Sequence, residues 1–222
     1  MVIALFVLMV VVLLTAEYFS ISRKIEKGVL ISSQSNVPVS TDVIERYFHR
    51  GHSWALVQPS KEVLIGVDDF AQRFIGKVDA VEMPQPGSLI RQGDRLVTMK
   101  HGDKSLSPAS PLSGTVLELN PKLKSEPGAI NASPLEKGWL MKIAPADLAS
   151  ELRMLLKGVI ADRWQEAVRA HLLHWFAPRV GPVMMDGGSL VDNISDVVTE
   201  GEWNLLVDEF FKSYESNTND KH

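Results

Sequence analysis

Apolar and polar positions change period three times along this chain. Residues 2–16, VIALFVLMVVVLLTA, are apolar without a charged residue. With Met1 they rise about 24 Å as a helix, a little short of a hydrocarbon core of roughly 30 Å. Tyr18, Phe19 and Ile21 extend the segment past Glu17, and Tyr18 suits a membrane–water interface. Residues 28–46 turn polar, with Ser32, Ser33, Ser35, Pro38 and Ser40, and read as a tether. Short apolar runs at close spacing follow. Trp54, Leu56 and Val57 predict one strand; Val63, Leu64, Ile65 and Val67 predict another, with Pro59 and Ser60 turning between them. Asp68 or Asp69 can cap a short helix from Phe70 to Phe74, which Gly76 ends. Val78, Ala80 and Val81 predict a third strand, and Leu89 with Ile90 precede a Gly93–Asp94 turn. Trp139, Leu140, Met141 and Ile143 predict the last strand, after an irregular stretch over 120–138.

From Asp147 the period becomes helical. Leu148, Leu152, Leu155 and Val159 fall on one face, and Trp164, Val168, Leu172 and Trp175 continue it until Pro178. Leu190, Val191, Ile194, Val197 and Val198 form another stripe. Thr199 with Glu202 has the spacing of a capping box for a final helix carrying Trp203, Leu206, Val207, Phe210, Phe211 and Tyr214. So aromatic a stripe predicts packing on the other helices, with a partner or a membrane face as the alternative.

Two readings compete for the N-terminal run. A cleaved signal peptide wants a basic leader, and only Met1 precedes the run. An uncleaved single-pass anchor over residues 2–21 fits better. Arg23, Lys24 and Lys27 follow it, so the positive-inside rule places the bulk of the chain in the cytoplasm.

The most informative stretch is Leu96 to Asn120, LVTMKHGDKSLSPASPLSGTVLELN. It reads as a strand, an exposed turn and a second strand. Gly102, Pro108, Pro111 and Gly114 supply turn chemistry, and Lys100, His101, Asp103 and Lys104 make a polar tip.

Composition narrows the function classes. A net charge of −4 gives no basic excess to neutralise phosphates, so no nucleic-acid partner is expected. The absence of cysteine excludes disulfides, thiolate catalysis and cysteine-based metal centres. His171 and His174 have a metal-compatible spacing, but no Glu completes an H-E-x-x-H pattern, and structural histidines beside Trp175 and Phe176 are expected instead. His52 is read as a packing or hydrogen-bonding residue near Trp54. Asp186-Gly187-Gly188 lacks the Gly-Lys-Ser/Thr of a phosphate loop. Neither a Ser/His/Asp arrangement nor an acid–base pair stands out, so no catalytic residue is assigned and no enzyme is expected.

Four blocks in order carry a family resemblance. They are Tyr47, His52 and Trp54; then Gly66, Val67, Phe70, Ala71, Gln72, Gly76, Val81, Glu82, Met83, Pro84 and Gly87; then Ser110, Pro111, Ser113, Gly114, Val116 and Asn120; then Ile130, Asn131, Pro134, Gly138, Trp139, Leu140 and Ile143. This pattern resembles the H protein of the glycine cleavage system, with Ser53 where the family has Glu. The resemblance implies a lipoyl/biotinyl-type flattened β-barrel sandwich; the expected α+β chain adds an N-terminal transmembrane helix and a C-terminal helical extension, which lie outside the family pattern. The expected organisation is an anchor over 1–22, a linker over 23–46, an H-protein-like β domain over 47–157 and a helical region over 158–222. The resemblance also implies a lipoate arm on one hairpin-tip lysine, presented to glycine-cleavage-type or other lipoate-dependent enzymes.

The chain departs from that pattern at the decisive position. Counting forward from Gly87 or back from Gly114 puts Asp103 where the family has its lysine, with Lys100, His101 and Gly102 at the three positions before it. A carboxylate cannot form the lipoyl amide. The expectation is therefore an H-like interaction or scaffold module with no cofactor. The alternative is a lipoylated carrier armed at Lys104, one residue later.

Overall fold

A computed structural model describes residues 45–180 and 193–212. All of them belong to one compact unit, Ile44–His222. The predicted anchor and nearly all of the tether lie outside the described residues. Among the described residues, no helix is long and apolar enough to cross a membrane.

Among the described residues, nine short strands form two antiparallel sheets. The larger has six strands in the order β1-β2-β3-β9-β8-β5, and the smaller has three in the order β4-β6-β7. In chain order these are β1 Tyr47–His49, β2 Ser53–Val57, β3 Val63–Val67, β4 Ala80–Glu82, β5 Leu89–Ile90, β6 Thr98–His101, β7 Lys104–Leu106, β8 Gly114–Leu119 and β9 Met141–Pro145. Ala55, Val63, Ile65, Met99, Leu106, Val116 and Ile143 come from both sheets and bury into one cluster.

Local chemistry explains the joints. Asp68 holds extended backbone and accepts the Ala71 N–H at 2.8 Å, starting α1 (Asp69–Ile75). Gly76, at φ 78°, ends that helix in a conformation that L side chains avoid. Asn120 caps the 3₁₀ turn Pro121–Lys124, and α2 (Ala129–Ala132) follows. Both strands flanking α1 and the cap itself therefore fall where the polar and apolar pattern put them.

The stretch over 96–120 differs from the single hairpin that its composition suggests. β6 and β7 pair tightly, with His101 opposite Lys104, so the exposed tip is only Gly102 and Asp103. Pro108, Ala109, Ser110, Pro111 and Leu112 are then buried as the chain crosses to β8 in the other sheet. Backbone bonds replace turn exposure there: Ala109 donates to Gly51 O at 3.0 Å, Ser110 to Asp94 O at 2.7 Å and Leu96 to Pro108 O at 2.9 Å.

The helices also depart from expectation. α3 (Leu148–Leu152) and α4 (Gly158–Val180) are separate, because the chain turns over 153–157 and Gly158 sits at φ 52°. Val159 is therefore off the predicted face and exposed, while Ala161, Trp164, Val168 and Leu172 form the inward stripe of α4. α4 also runs two residues past Pro178. After residue 192 come α5 (Ile194–Val197), α6 (Glu200–Val207) and a π-helical turn over Asp208–Lys212. Thr199 and Glu202 form the expected capping box of α6. The stripe Trp203, Leu206, Phe210 and Phe211 is buried, and its rings pack chiefly on Phe70 and Phe74 of α1. Leu190, Val191 and Tyr214 lie outside the described residues.

Candidate functional site: the hairpin tip and its helical clasp

The β6–β7 tip is a polar display built by the short sheet. Gly102, at φ 54°, takes the first central position of a two-residue turn, and Asp103 takes the second. Both are exposed. The two flanking lysines are engaged. Lys100 pairs with Glu82 on the neighbouring β4. Lys104 turns towards the C-terminal helices, where its Nζ donates to Ser195 O and, at 2.7 Å, to Val198 O. It thereby satisfies carbonyls at the end of α5, a place that favours a cation. The same ammonium lies 5.8 Å from the centroid of the Trp203 ring.

Four more bonds close this clasp. Trp203 Nε1 donates to Ser105 O at 3.2 Å. Ser195 Oγ donates to Ile75 O at 2.7 Å. The His101 ring spans Asp79 (Nδ1 to Oδ2, 3.1 Å) and Asp196 (Nε2 to Oδ1, 2.9 Å). A cleft of about 380 Å³ opens beside the tip, lined by Arg95, Asp103, Lys104, Glu200, Trp203 and Lys212 among others.

The remaining motif residues hold the scaffold under this display. His52, at φ 65°, is buried with Nδ1 2.8 Å from Asp68 Oδ2, and its ring stacks on Phe70 at 4.4 Å and Trp164 at 5.1 Å. Trp54 Nε1 donates to Val67 O at 2.8 Å. Asn131 accepts the Val78 N–H at 2.9 Å and donates to Gly76 O at 2.8 Å, pinning the exit of α1. Ser113 donates its N–H to Glu151 at 2.7 Å and so ties α3 to the crossing segment. A Cβ at Gly138 would sit 2.8 Å from Ala129 O.

These contacts give the four sequence blocks a structural meaning. The profile described as "Glycine cleavage H-protein" matches residues 46–166, more than half of the chain. The chain belongs to the glycine cleavage H-protein family. It is 36% identical over 108 residues to a glycine cleavage system H protein of Hydrogenovibrio crunogenus, covering 49% of this chain and 83% of that one. It is 37% identical over 124 residues to the mitochondrial H protein of Oryza sativa subsp. indica, covering 56% and 74%. A crystal structure of the H protein from Mycobacterium marinum aligns with TM-score 0.48 and 21% identity, over 56% of this chain and 96% of that one.

In this H-protein body, sequence reasoning found Asp103 and Lys104 but not the clasp. Lys104 meets residues 91 and 94 positions away along the chain, a pairing that no local pattern encodes. His171 pairs with Glu209 at 3.3 Å and packs on Phe210, which is the structural part expected of it. Among the described residues, no cluster of His, Asp and Glu is arranged to hold a metal ion.

Two histidines are expected to give the body a two-sided pH profile. Burial, with the charges of His52 and Arg50, holds His49 down at about 4. Its Nδ1 accepts the Gly51 N–H at 2.9 Å, which protonation there would forfeit. A depressed histidine contributes its stability above the unfolded value, near 6.5, and loses it as pH falls through about 4. The loss is on the order of 2–3 kcal/mol. His101 runs the other way. Its hydrogen bond to Asp196 raises it, as do the charges of Asp196 and Asp79. That contribution is present below the unfolded value and fades as pH rises through the raised one. Denaturant unfolding against pH should show a shoulder that His49→Gln removes on the acid side. His101→Gln should flatten the slope above neutrality. An unchanged profile in both variants contradicts these assignments.

Proposed function

We propose that this chain is an H-protein-family body without a lipoyl arm, serving as a membrane-tethered interaction module rather than a catalyst. The observation that carries this is the hairpin tip. The family presents its cofactor from a tip lysine, and here the two central residues of the turn are Gly102 and Asp103. The residues present do not fit the group, because a carboxylate offers no amine to acylate. Lys104 lies one residue later, with its amine turned away from the tip and held by two carbonyls beside Trp203.

The relatives are named as glycine cleavage system H proteins, and that supports enzymes of that system, or other lipoate-dependent enzymes, as the partner class. The apolar run 2–16 followed by Arg23, Lys24 and Lys27 supports a single-pass anchor with the body in the cytoplasm. An otherwise intact scaffold with an unarmed tip suits recognition without transfer.

The test is the intact mass of the full chain coexpressed with a lipoate ligase and supplied with lipoate. The wild-type chain is expected to stay unmodified, and Asp103→Lys is expected to gain one lipoyl group. A wild-type gain that Lys104→Arg abolishes would make the chain a carrier and sink the proposal.

A further inference from the structure

Among the described residues, three of the large exposed apolar side chains fall close together in sequence, at the start of the helical region. Met154 is 66% exposed, Val159 64% and Ile160 66%. They lie on the turn over 153–157 and the first turn of α4. Exposed Arg153, Lys157 and Arg163 flank them, and Asp162 is the single acidic residue between Met154 and Arg163. Large apolar side chains are interleaved here with cations, and Arg153, Lys157 and Arg163 against Asp162 and Glu45 leave a small positive excess on a chain of net charge −4.

Its position along the chain supplies the occupant. Phe48 and Leu156 exchange backbone hydrogen bonds at 2.7 and 2.8 Å. Lys157 Nζ lies 3.0 Å from Glu45 Oε1 and 5.3 Å from the Tyr47 ring centroid. The point where the chain enters the body is thus locked against the patch. Fewer than thirty residues separate Glu45 from the apolar run 2–16. Even fully extended, they hold the body within about 100 Å of whatever that run enters. Such a tether keeps the effective concentration of patch and surface high, so that a patch too weak to bind alone can dock.

We infer that Met154, Val159 and Ile160, with Arg153 and Arg163, form a docking surface for an anionic lipid bilayer. The apolar side chains enter the interfacial region and the cations meet lipid phosphates and carboxylates. The inference rests on the anchor reading, and it adds an orientation: the β1 end of the body faces the membrane and the patch is the contact.

The chain contains no cysteine, so single labels can be introduced cleanly. Ile160→Cys and, as a control, the equally exposed position changed by Leu205→Cys would carry an environment-sensitive dye. The full chain would be reconstituted into phosphatidylcholine vesicles with and without phosphatidylserine. A blue shift at position 160, quenched by lipid-borne quencher several-fold more than at 205, is expected with phosphatidylserine. Arg153→Glu combined with Arg163→Glu is expected to reduce it at least two-fold. Flotation after alkaline carbonate reports the anchor separately. A floating chain with no shift at 160 overturns the inference and leaves the anchor standing. A chain extracted by carbonate but still quenched by lipid at 160 supports the patch and sinks the anchor. A shift that grows with protein density and ignores the lipid quencher assigns the patch to a second copy of the chain, and overturns the inference.

Discussion

Trp203→Ala is expected to destabilise the Ile44–His222 unit by about 3–5 kcal/mol, the usual cost of deleting a fully buried aromatic side chain. Trp203 is 3% exposed and meets Phe74 at 5.0 Å between ring centroids. It also donates to Ser105 O and lies beside the Lys104 ammonium. The truncation therefore opens a cavity, frees a β7 carbonyl and weakens the Lys104 contact together. In a unit of this size that corresponds to a fall in midpoint of roughly 6–20 °C. Trp203→Phe keeps most of the apolar contact and loses the indole N–H, so it is expected to cost only about 1–2 kcal/mol. Circular dichroism on thermal unfolding would measure both. Hydrogen exchange over Lys104–Leu106 should rise in Trp203→Ala before the β8–β9 ladder responds, because only β7 loses its cover. A loss below about 1 kcal/mol for Trp203→Ala would mean that α6 does not share the core. The same variant separates access from position at the hairpin. If Lys104 stays unmodified by lipoate ligase with the clasp loosened, its place in the turn, rather than its burial, is what excludes it.

What the sequence revealed and what it hid divide along physical lines. A cap at Asp68 or Asp69, of which the structure uses Asp68, and the Thr199–Glu202 box were legible because caps are local: donor and acceptor lie within three residues of each other. The two-sheet body was legible through the ordered family blocks more than through periodicity, since strands such as β4 and β7 have three residues and too few positions to show alternation. The segment over 107–113 was misread because proline and serine signal turns, and turns are usually wet. Here its polar backbone groups find Gly51, Asp94 and Leu96 in the fold, which makes burial affordable. The break before α4 was hidden for a related reason. Leu152, Leu155 and Val159 keep a helical spacing across a turn that only Gly158 betrays. At the site, counting from Gly87 and Gly114 pointed to Asp103, and the β6–β7 pairing puts that residue at the hairpin tip. The destination of Lys104 was not, because α5 reaches it only through tertiary packing.

The second large effect is expected at Gly66, where the reason for glycine is steric rather than conformational. Gly66 carries no positive φ, so alanine would suit its backbone. The obstacle is Trp54, which faces it across the β2–β3 ladder. A Cβ at 66 would sit 2.5 Å from Trp54 Cε2 and 2.8 Å from its Nε1, with Cζ2 nearer still. Strand and indole cannot both stay. If the ring moves, Nε1 leaves Val67 O at 2.8 Å and Pro134 O at 3.2 Å, and a fully buried indole N–H is orphaned. Overpacking costs about 1–3 kcal/mol and an unsatisfied buried donor about 1–3 kcal/mol more. Gly66→Ala is therefore expected to cost on the order of 3–5 kcal/mol, against a total of about 5–15 kcal/mol for a domain of this kind. The two residues should also be coupled. Trp54→Phe alone loses the same hydrogen bonds and shrinks the ring, so adding Gly66→Ala to it meets less of a clash and breaks no indole bond that is not already gone. The double variant should be more stable than the sum of the singles predicts by about 1–2 kcal/mol, measured as a double-mutant cycle in denaturant unfolding. Strict additivity would place the cost of Gly66→Ala in the backbone and remove Trp54 from the explanation. Because Trp54 and Gly66 both belong to the family blocks, coupling would also show that this block keeps its residues for packing, which an H-protein body needs whether or not its hairpin carries an arm.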